Sequence, residues 1–381
     1  MNNNKDKGKQ KPNTGSTEPI DSTESKPKKS ISKKEFSLDD LKKELGASTT
    51  RYKQDIFLDC GEAFLDATGL QGPAMGHINM LLGHSNAGKT TALIAAAADA
   101  QKKGIMPIFL ITEKKWSWEH AKLMGMKAEL NSETGEWEGD FIYFDELDYV
   151  EQVTEKINKV LDAQDAGKLK RDICFFWDSV GSVPCKMTYE GKGGKQHTAG
   201  VLAEKINMGI NQRINKTRKE SSPYWAGLVI CNLPWVQIPM TYGAQPKIKP
   251  KGGEAIYQCS TLVFRFGNEA ESGISKIEAS KNGRKINIAT RSKVTVDKNH
   301  INGFGYKDSN IIITAHGFLK TDKRSGSDVK DGKQAFEQYK KDHMDYIVSQ
   351  FKKEFGDDTN IDDVDIIETE GATIVDYNDE D

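Results

Sequence analysis

No C-x-x-C pair occurs among the five cysteines, Cys60, Cys174, Cys185, Cys231 and Cys259, which leaves a structural zinc site without its usual ligands. Three of them lie in apolar surroundings suited to a buried free thiol, which points to reduced structural residues and an intracellular protein. Long apolar runs are also missing. None reaches the roughly 18 residues a membrane helix requires, and the polar N-terminus lacks the apolar segment of a signal peptide, so the chain is expected to be neither exported nor membrane-bound. A global basic field is absent as well: 54 Lys and Arg stand against 56 Asp and Glu, net −2, and any nucleic-acid binding must come from local patches. Hydrophobic residues make up only 36% of the 381, enough for one large core domain but low for a wholly folded chain.

The shortfall is at the ends. Residues 1–35 are rich in Lys, Asn, Ser, Pro and Gly and are expected to form a disordered basic tail, because they have too few large apolar side chains to offset ordering entropy. Residues 36–50 hold a short helix, capped by Ser37, ended by Gly46, with Leu38, Leu41 and Leu45 on one face. Such a short helix needs a surface to pack on, its own core or a neighbouring subunit. A core over 51–300 and a C-terminal region over 301–355 follow. The periodicity of Phe336, Tyr339, Met344, Ile347 and Phe351 predicts one helix over 333–355. Residues 356–381 carry many Asp and Glu and no Lys or Arg, and are expected to be a disordered acidic tail. That tail either competes for basic loops or recruits a basic partner, or else is inert.

The chain is organised around Gly83, His84, Ser85, Asn86, Ala87, Gly88, Lys89, Thr90 and Thr91, which fit G-x-x-x-x-G-K-[ST] in full. An apolar strand-like run precedes them and an alanine-rich helical run follows, the strand, loop and helix context that reads as a nucleotide site, the alternative being a chance glycine-rich turn between strand and helix. Gly83 and Gly88 allow a backbone path that turns N–H groups inward at a helix N-terminus. Lys89 would meet the β- and γ-phosphates, and Thr90 would offer its hydroxyl to Mg²⁺.

Alternating strand and helix patterns continue from about residue 51, which predicts an α/β fold with a mainly parallel twisted sheet flanked by helices. Residues 105–112 read as a strand ending at Glu113, a candidate to deprotonate the attacking water or else a solvated strand-end carboxylate. Residues 173–179 read as a buried strand delivering Asp178 to Mg²⁺ or its water shell. The loop at 182–200 sets Lys186, Lys192 and Lys195 among glycines, compatible with phosphate contacts or with a plain surface loop. The loop at 233–253 carries Trp235, Tyr242, Lys247, Lys249 and Lys251, the aromatic and cationic mixture that suits single-stranded nucleic acid, or else is a mobile excursion. Its four prolines, Pro234, Pro239, Pro246 and Pro250, argue against regular structure. Further strands are expected at 260–265, 274–280 and 286–290.

From about 60 to 295 the chain resembles the RecA-family recombinases, in particular the phage-type UvsX branch. The matching pieces are the 69–76 lead-in, the phosphate loop, Phe109-Leu-Ile-Thr-Glu113, Phe175-Phe-Trp-Asp-Ser-Val180, His197-Thr-Ala-Gly-Val-Leu-Ala, Leu228-Val-Ile-Cys-Asn232 and Lys251-Gly-Gly-Glu-Ala-Ile256. The resemblance implies a RecA-like ATPase using ATP and Mg²⁺, with Glu113 catalytic and Asp178 metal-linked. It implies that the two loops, with Gly252 and Gly253, bind DNA along the axis of a helical homo-oligomer. Ser117 and His120 fall by spacing where the family approaches adenine, and Arg291 and Lys293 where a basic pair reaches the neighbouring subunit's γ-phosphate. Read from residues alone, that pair is a solvated strand face. Leu233 departs from the pattern, since the family carries a polar γ-phosphate sensor there: either Asn232 takes the role or coupling to DNA is weak.

The function so implied is ATP-dependent pairing and strand exchange between single-stranded DNA and homologous duplex DNA, with loading or single-strand-binding protein partners, in a bacterial or phage-infected host cytoplasm. A RecA-fold helicase or motor, and a non-hydrolysing annealing or accessory protein, are the alternatives.

Overall fold

The computed structural model describes residues 37–47, 51–237, 247–267, 274–305, 309–320, 333–357, 359 and 364–369; the N-terminal tail expected over 1–35 lies outside them. The chain divides into two units, one before residue 50 and one from it onward. In the first, helix Leu38–Glu44 is capped by Ser37, whose hydroxyl accepts from the Asp40 amide at 3.1 Å. Its leucine face, Leu38, Leu41 and Leu45, is exposed.

The second unit is built on an eleven-stranded sheet. Six strands run parallel, in the spatial order Leu262–Phe266, Ile78–Gly83, Ala226–Asn232, Ile173–Asp178, Met106–Ile111 and Ile142–Phe144. These strands read as unbroken apolar runs because both faces are covered. In Ile78–Gly83 the side chains alternate: Leu81 belongs to the cluster that holds the alanine-rich helix Lys89–Lys102, while Ile78, Met80 and Leu82 belong to the cluster on the other face, which includes Val150, Val153 and Ile157 of helix Val150–Asp165. Antiparallel strands Arg284–Asn299, Ser309–Thr314 and Gly317–Leu319 extend one side.

Several expectations need correction. The strand expected at 286–290 runs from Arg284 to Asn299, and the hairpin at 309–319 was not foreseen. The single helix over 333–355 is two, Lys333–Asp342 and Met344–Phe355, because His343 leaves helical geometry and stacks on His316 with ring centroids 3.8 Å apart. Met344 is accordingly exposed, whereas Phe336, Tyr339, Ile347 and Phe351 are buried against the long antiparallel strand. Asp365–Thr369, read as part of a disordered acidic tail, is a strand antiparallel to Ser275–Lys281; Val364 is buried beside it. Backbone pairing and local apolar residues outweigh the charge there, and 370–381 lie outside the described residues.

The helical stretch at 195–216 has its own register. Leu202, Ile206, Ile210 and Ile214 are buried at a strict spacing of four, which overshoots the α turn by about 40° per step. The π-wound segment Ala203–Ile210 compensates and keeps that stripe on the sheet.

At the amino end of the parallel strands, His77 is buried with Nδ1 3.0 Å from Thr261 Oγ1 and Nε2 3.6 Å from Asp55 Oδ1, which also lies 3.6 Å from Arg218. Burial, then Arg218, pushes the His77 imidazole down to about 4, against the opposing pull of Asp55. Its native pKa is thus below that of the unfolded chain, so its contribution to stability is complete above pH ~6.5 and is lost as pH falls toward 4. A decline of up to about 1.4 kcal/mol per pH unit is expected in that window from this group. Urea midpoints across the window should fall less steeply for His77→Gln; parallel slopes for variant and parent would refute it.

Candidate functional site

The glycine loop over residues 83–91 has the strand, turn and helix backbone expected of it. Gly83 ends its strand, where a Cβ would meet the Phe266 carbonyl at 2.4 Å, and Gly88 has φ +108°, backbone that favours glycine. Gly88 N-caps helix Lys89–Lys102, so the first-turn amides are available to an anion. Ser85 and Asn86 are exposed and Ala87 is buried. Lys89 is 8% exposed and donates to the His84 carbonyl at 2.8 Å. Burial lowers its pKa, opposed by Cys231, Asp178 and Glu113.

Two carboxylates converge on this lysine from the carboxyl ends of neighbouring strands. Thr90 Oγ1 donates to Asp178 Oδ2 at 2.8 Å. Burial raises the Asp178 pKa and Glu113 adds to the rise, while the Thr90 hydrogen bond opposes it. An oxygen-donor pair carrying a poorly compensated buried anion fits a hard cation such as Mg²⁺, which takes its remaining ligands from phosphate and water. Among the described residues no group of three or more His, Cys, Asp or Glu side chains could hold a metal by itself. Thr90 Oγ1 and Asp178 Oδ2, 2.8 Å apart, offer two oxygen donors to such an ion.

Glu113 lies just past Met106–Ile111 and accepts a short hydrogen bond from Ser179 Oγ. Thr112 stitches the two strand ends: its amide donates to Asp178 O at 2.8 Å and its hydroxyl to Ser179 O at 2.8 Å. Sequence reasoning missed Ser179, Thr112 and Cys231, whose buried thiol sits beside Asp178. The last was legible only as one residue before the strand-end Asn232.

Asn232 is wholly buried; its amide nitrogen donates to Lys251 O at 2.8 Å and its oxygen accepts from the Leu233 amide at 2.8 Å. It joins the base of the second loop to the strand end. The proline argument fails in that loop: Pro234–Gln237 and Lys247–Pro250 pair as an antiparallel ribbon. Pro234 and Pro250 face each other at its end, where a missing amide is tolerated. Trp235 is 45% exposed opposite Lys249, which pairs with Glu254 at 2.7 Å. Tyr242 and the side chain of Lys247 lie outside the described residues.

The first loop is folded into short helices, Lys186–Tyr189 and Lys195–Leu202. Glu190 lies 2.8 Å from Lys192 and 3.9 Å from Lys186, so part of the basic character is neutralised locally. The Lys195 side chain is outside the described residues. The two loops meet. A Cβ on Gly181 would lie 2.9 Å from the Lys251 side chain, one on Gly252 2.6 Å from Leu202, and one on Gly253 3.1 Å from Ala199. Gly252 and Gly253 have φ +87° and +97°; they are spacers that let the second loop lie on the first.

Ser117 caps helix Trp118–Leu123, accepting from the His120 amide at 3.1 Å, and burial lowers the His120 pKa. Both line a cavity of about 690 Å³ that also touches Thr91. Arg291 and Lys293 share one strand face, with Ser292 buried between them. Lys293 O accepts from Gly267, just past the carboxyl end of Leu262–Phe266. Among the described residues no helix is long and apolar enough to cross a membrane.

No family profile matches the chain. Curated relatives do. The chain is 25% identical over 235 residues to Protein RecA of Syntrophobacter fumaroxidans, covering 62% of this chain and 59% of that protein. It is 27% identical over 220 residues to Protein RecA of Aquifex aeolicus, covering 57% of each. It is 25% identical over 258 residues to the mitochondrial DNA repair protein recA homolog of Dictyostelium discoideum, covering 68% of this chain and 50% of that one. The chain thus spans between half and three fifths of the length of the relatives it matches.

Proposed function

We propose that this chain is a RecA-family, DNA-dependent ATPase of the phage-type UvsX-like branch that assembles on single-stranded DNA and pairs it with homologous duplex. The observation that carries the reading is the convergence of the phosphate loop, Asp178 and Glu113 at one end of the sheet, with two loops joined to that end through Asn232 and Lys251. The relatives named RecA support it. Bound Mg²⁺ would supply charge neutralisation at the phosphates. Thr90 and Asp178 would hold it, the Lys89 ammonium would face the β- and γ-phosphates, and Glu113, oriented by Ser179, would accept the proton of the attacking water. Asn232 commits its side chain to the Lys251 carbonyl and the Leu233 amide, so in this reading it links the strand end to the second loop in place of a direct γ-phosphate contact. Arg291 and Lys293 are the cations offered across a subunit interface. A cytoplasmic setting and loading or single-strand-binding partners go with the same reading.

The test is joint-molecule formation between a single strand and homologous duplex, with and without ATP. ATP-dependent pairing is expected. Unwinding alone would make the protein a motor, and ATP-independent annealing an accessory factor.

The exposed Trp235 gives a narrower expectation. Stacking on one base contributes about 1–3 kcal/mol, so Trp235→Ala should weaken single-strand binding about 5- to 150-fold with a nucleotide analogue present. Titrations across a salt series check it; equal affinities throughout would assign Trp235 to packing or a subunit contact.

A further inference from the structure

The 690 Å³ cavity beside Thr91 is walled by segments far apart in the chain. Helix Trp118–Leu123 contributes Ser117, at its cap, and His120; strands contribute Ile288 and Ile313; helix Met344–Phe355 contributes Tyr346 and Gln350. Its size is that of a small-molecule site. Its position follows the direction of the phosphate loop. Lys89 faces the γ end of a triphosphate, where Asp178 and Glu113 lie, so the α-phosphate lies toward Thr91 and the nucleoside must continue past it. Thr91 and Ile313 line the cavity, and Ile313 lies directly under the loop, 2.7 Å from where a Gly88 Cβ would be.

The C-terminal wall is held in place. His316, on the hairpin that carries Ile313, lies 3.0 Å from Tyr339 Oη through Nδ1, stacks on His343, and meets Tyr346 edge-on with centroids 4.9 Å apart. Tyr346 and Gln350 are four residues apart on one helix face and both line the cavity. The Gln350 side chain is half-buried, and its amide nitrogen donates a long hydrogen bond of 3.4 Å to Ser349 Oγ.

We propose that helix Met344–Phe355 is the base-reading wall of the nucleotide site, with Tyr346 against the base and the Gln350 carboxamide paired to the N6 and N7 edge of adenine. The chemistry selects adenine because that edge offers one donor and one acceptor, matching a carboxamide in two parallel hydrogen bonds. Guanine presents two acceptors, O6 and N7, on the same edge, and one carboxamide cannot pair with both. This inference rests on the nucleotide-site reading and goes further, since it puts base selection in the C-terminal segment rather than near the phosphate loop.

The experiment measures equilibrium binding of ATP, GTP and inorganic tripolyphosphate, each with Mg²⁺, to the full chain and to Gln350→Ala and Gln350→Glu. Alanine suits a helix, so the fold should persist. The parent should prefer ATP to GTP. Both variants should lose ATP affinity by about 5- to 150-fold while their affinities for GTP and tripolyphosphate stay within about twofold of the parent. ATP affinity unchanged in both variants would overturn the inference and leave the nucleotide site standing. So would an equal loss for tripolyphosphate, because the effect would then lie on the phosphates or the fold. A parent that binds none of the three would overturn the nucleotide-site reading, and this inference with it.

Discussion

Replacing Lys89 by alanine is expected to reduce ATP turnover by at least about 10²–10³-fold, the scale on which one preorganised charged donor acts on a developing anion. The ammonium is almost fully enclosed, bonded to the His84 carbonyl and flanked by Asp178, Glu113 and the Cys231 thiol. Its pKa is lowered by that enclosure, so its place in the fold is costly and not a source of core stability. The variant should therefore melt close to the parent. Steady-state turnover with single-stranded DNA, alongside thermal unfolding, makes the check; full turnover would remove the phosphate loop from the mechanism. The same variant tests assembly. Mixed with the double variant Arg291→Ala/Lys293→Ala, itself inactive, it should restore turnover, because it donates an intact basic pair to a neighbour whose phosphate loop is intact. A cation supplied in trans contributes roughly 10³–10⁵ in rate. Co-assembly of the two on DNA without recovered activity would reduce Arg291 and Lys293 to a charged strand face.

Glu113→Gln should leave ATP binding nearly unchanged and slow single-turnover hydrolysis about 10²–10⁴-fold. The amide keeps an oxygen to accept from Ser179, so the local hydrogen bonding survives and only proton acceptance is lost. Thr90 and Asp178, which fit the metal, are untouched. The two quantities to measure are nucleotide affinity and the rate of the chemical step. If affinity collapses together with rate, Glu113 is a structural or metal-holding carboxylate and the water is activated elsewhere.

The sequence by itself determined the parts whose physics is local. A glycine loop between an apolar run and an alanine-rich run can only be a turn entering a helix N-terminus, and Lys89 and Thr90 follow from its spacing. Asp178 and Glu113 were legible because buried parallel strands are apolar throughout, so the first carboxylate after such a run marks the carboxyl end of the sheet. Ser37 was legible as a cap because a serine just ahead of a helical run can accept from a first-turn amide. The tertiary structure decided whatever depends on partners distant in the chain. Ser179 on Glu113, Gly181 against Lys251, and Gly252 against Leu202 are contacts that no window of neighbouring residues contains. The break at His343 follows from a stacking partner, His316, contributed by another element. Pro234 and Pro250 escaped their usual meaning because each sits opposite the other at a ribbon end. Asp365–Thr369 is acidic enough to read as tail, yet the open edge of Ser275–Lys281 gives its backbone a ladder to join. The cavity between Thr91 and Gln350 exists only because folding brings the terminal helices onto the hairpin beside the phosphate loop.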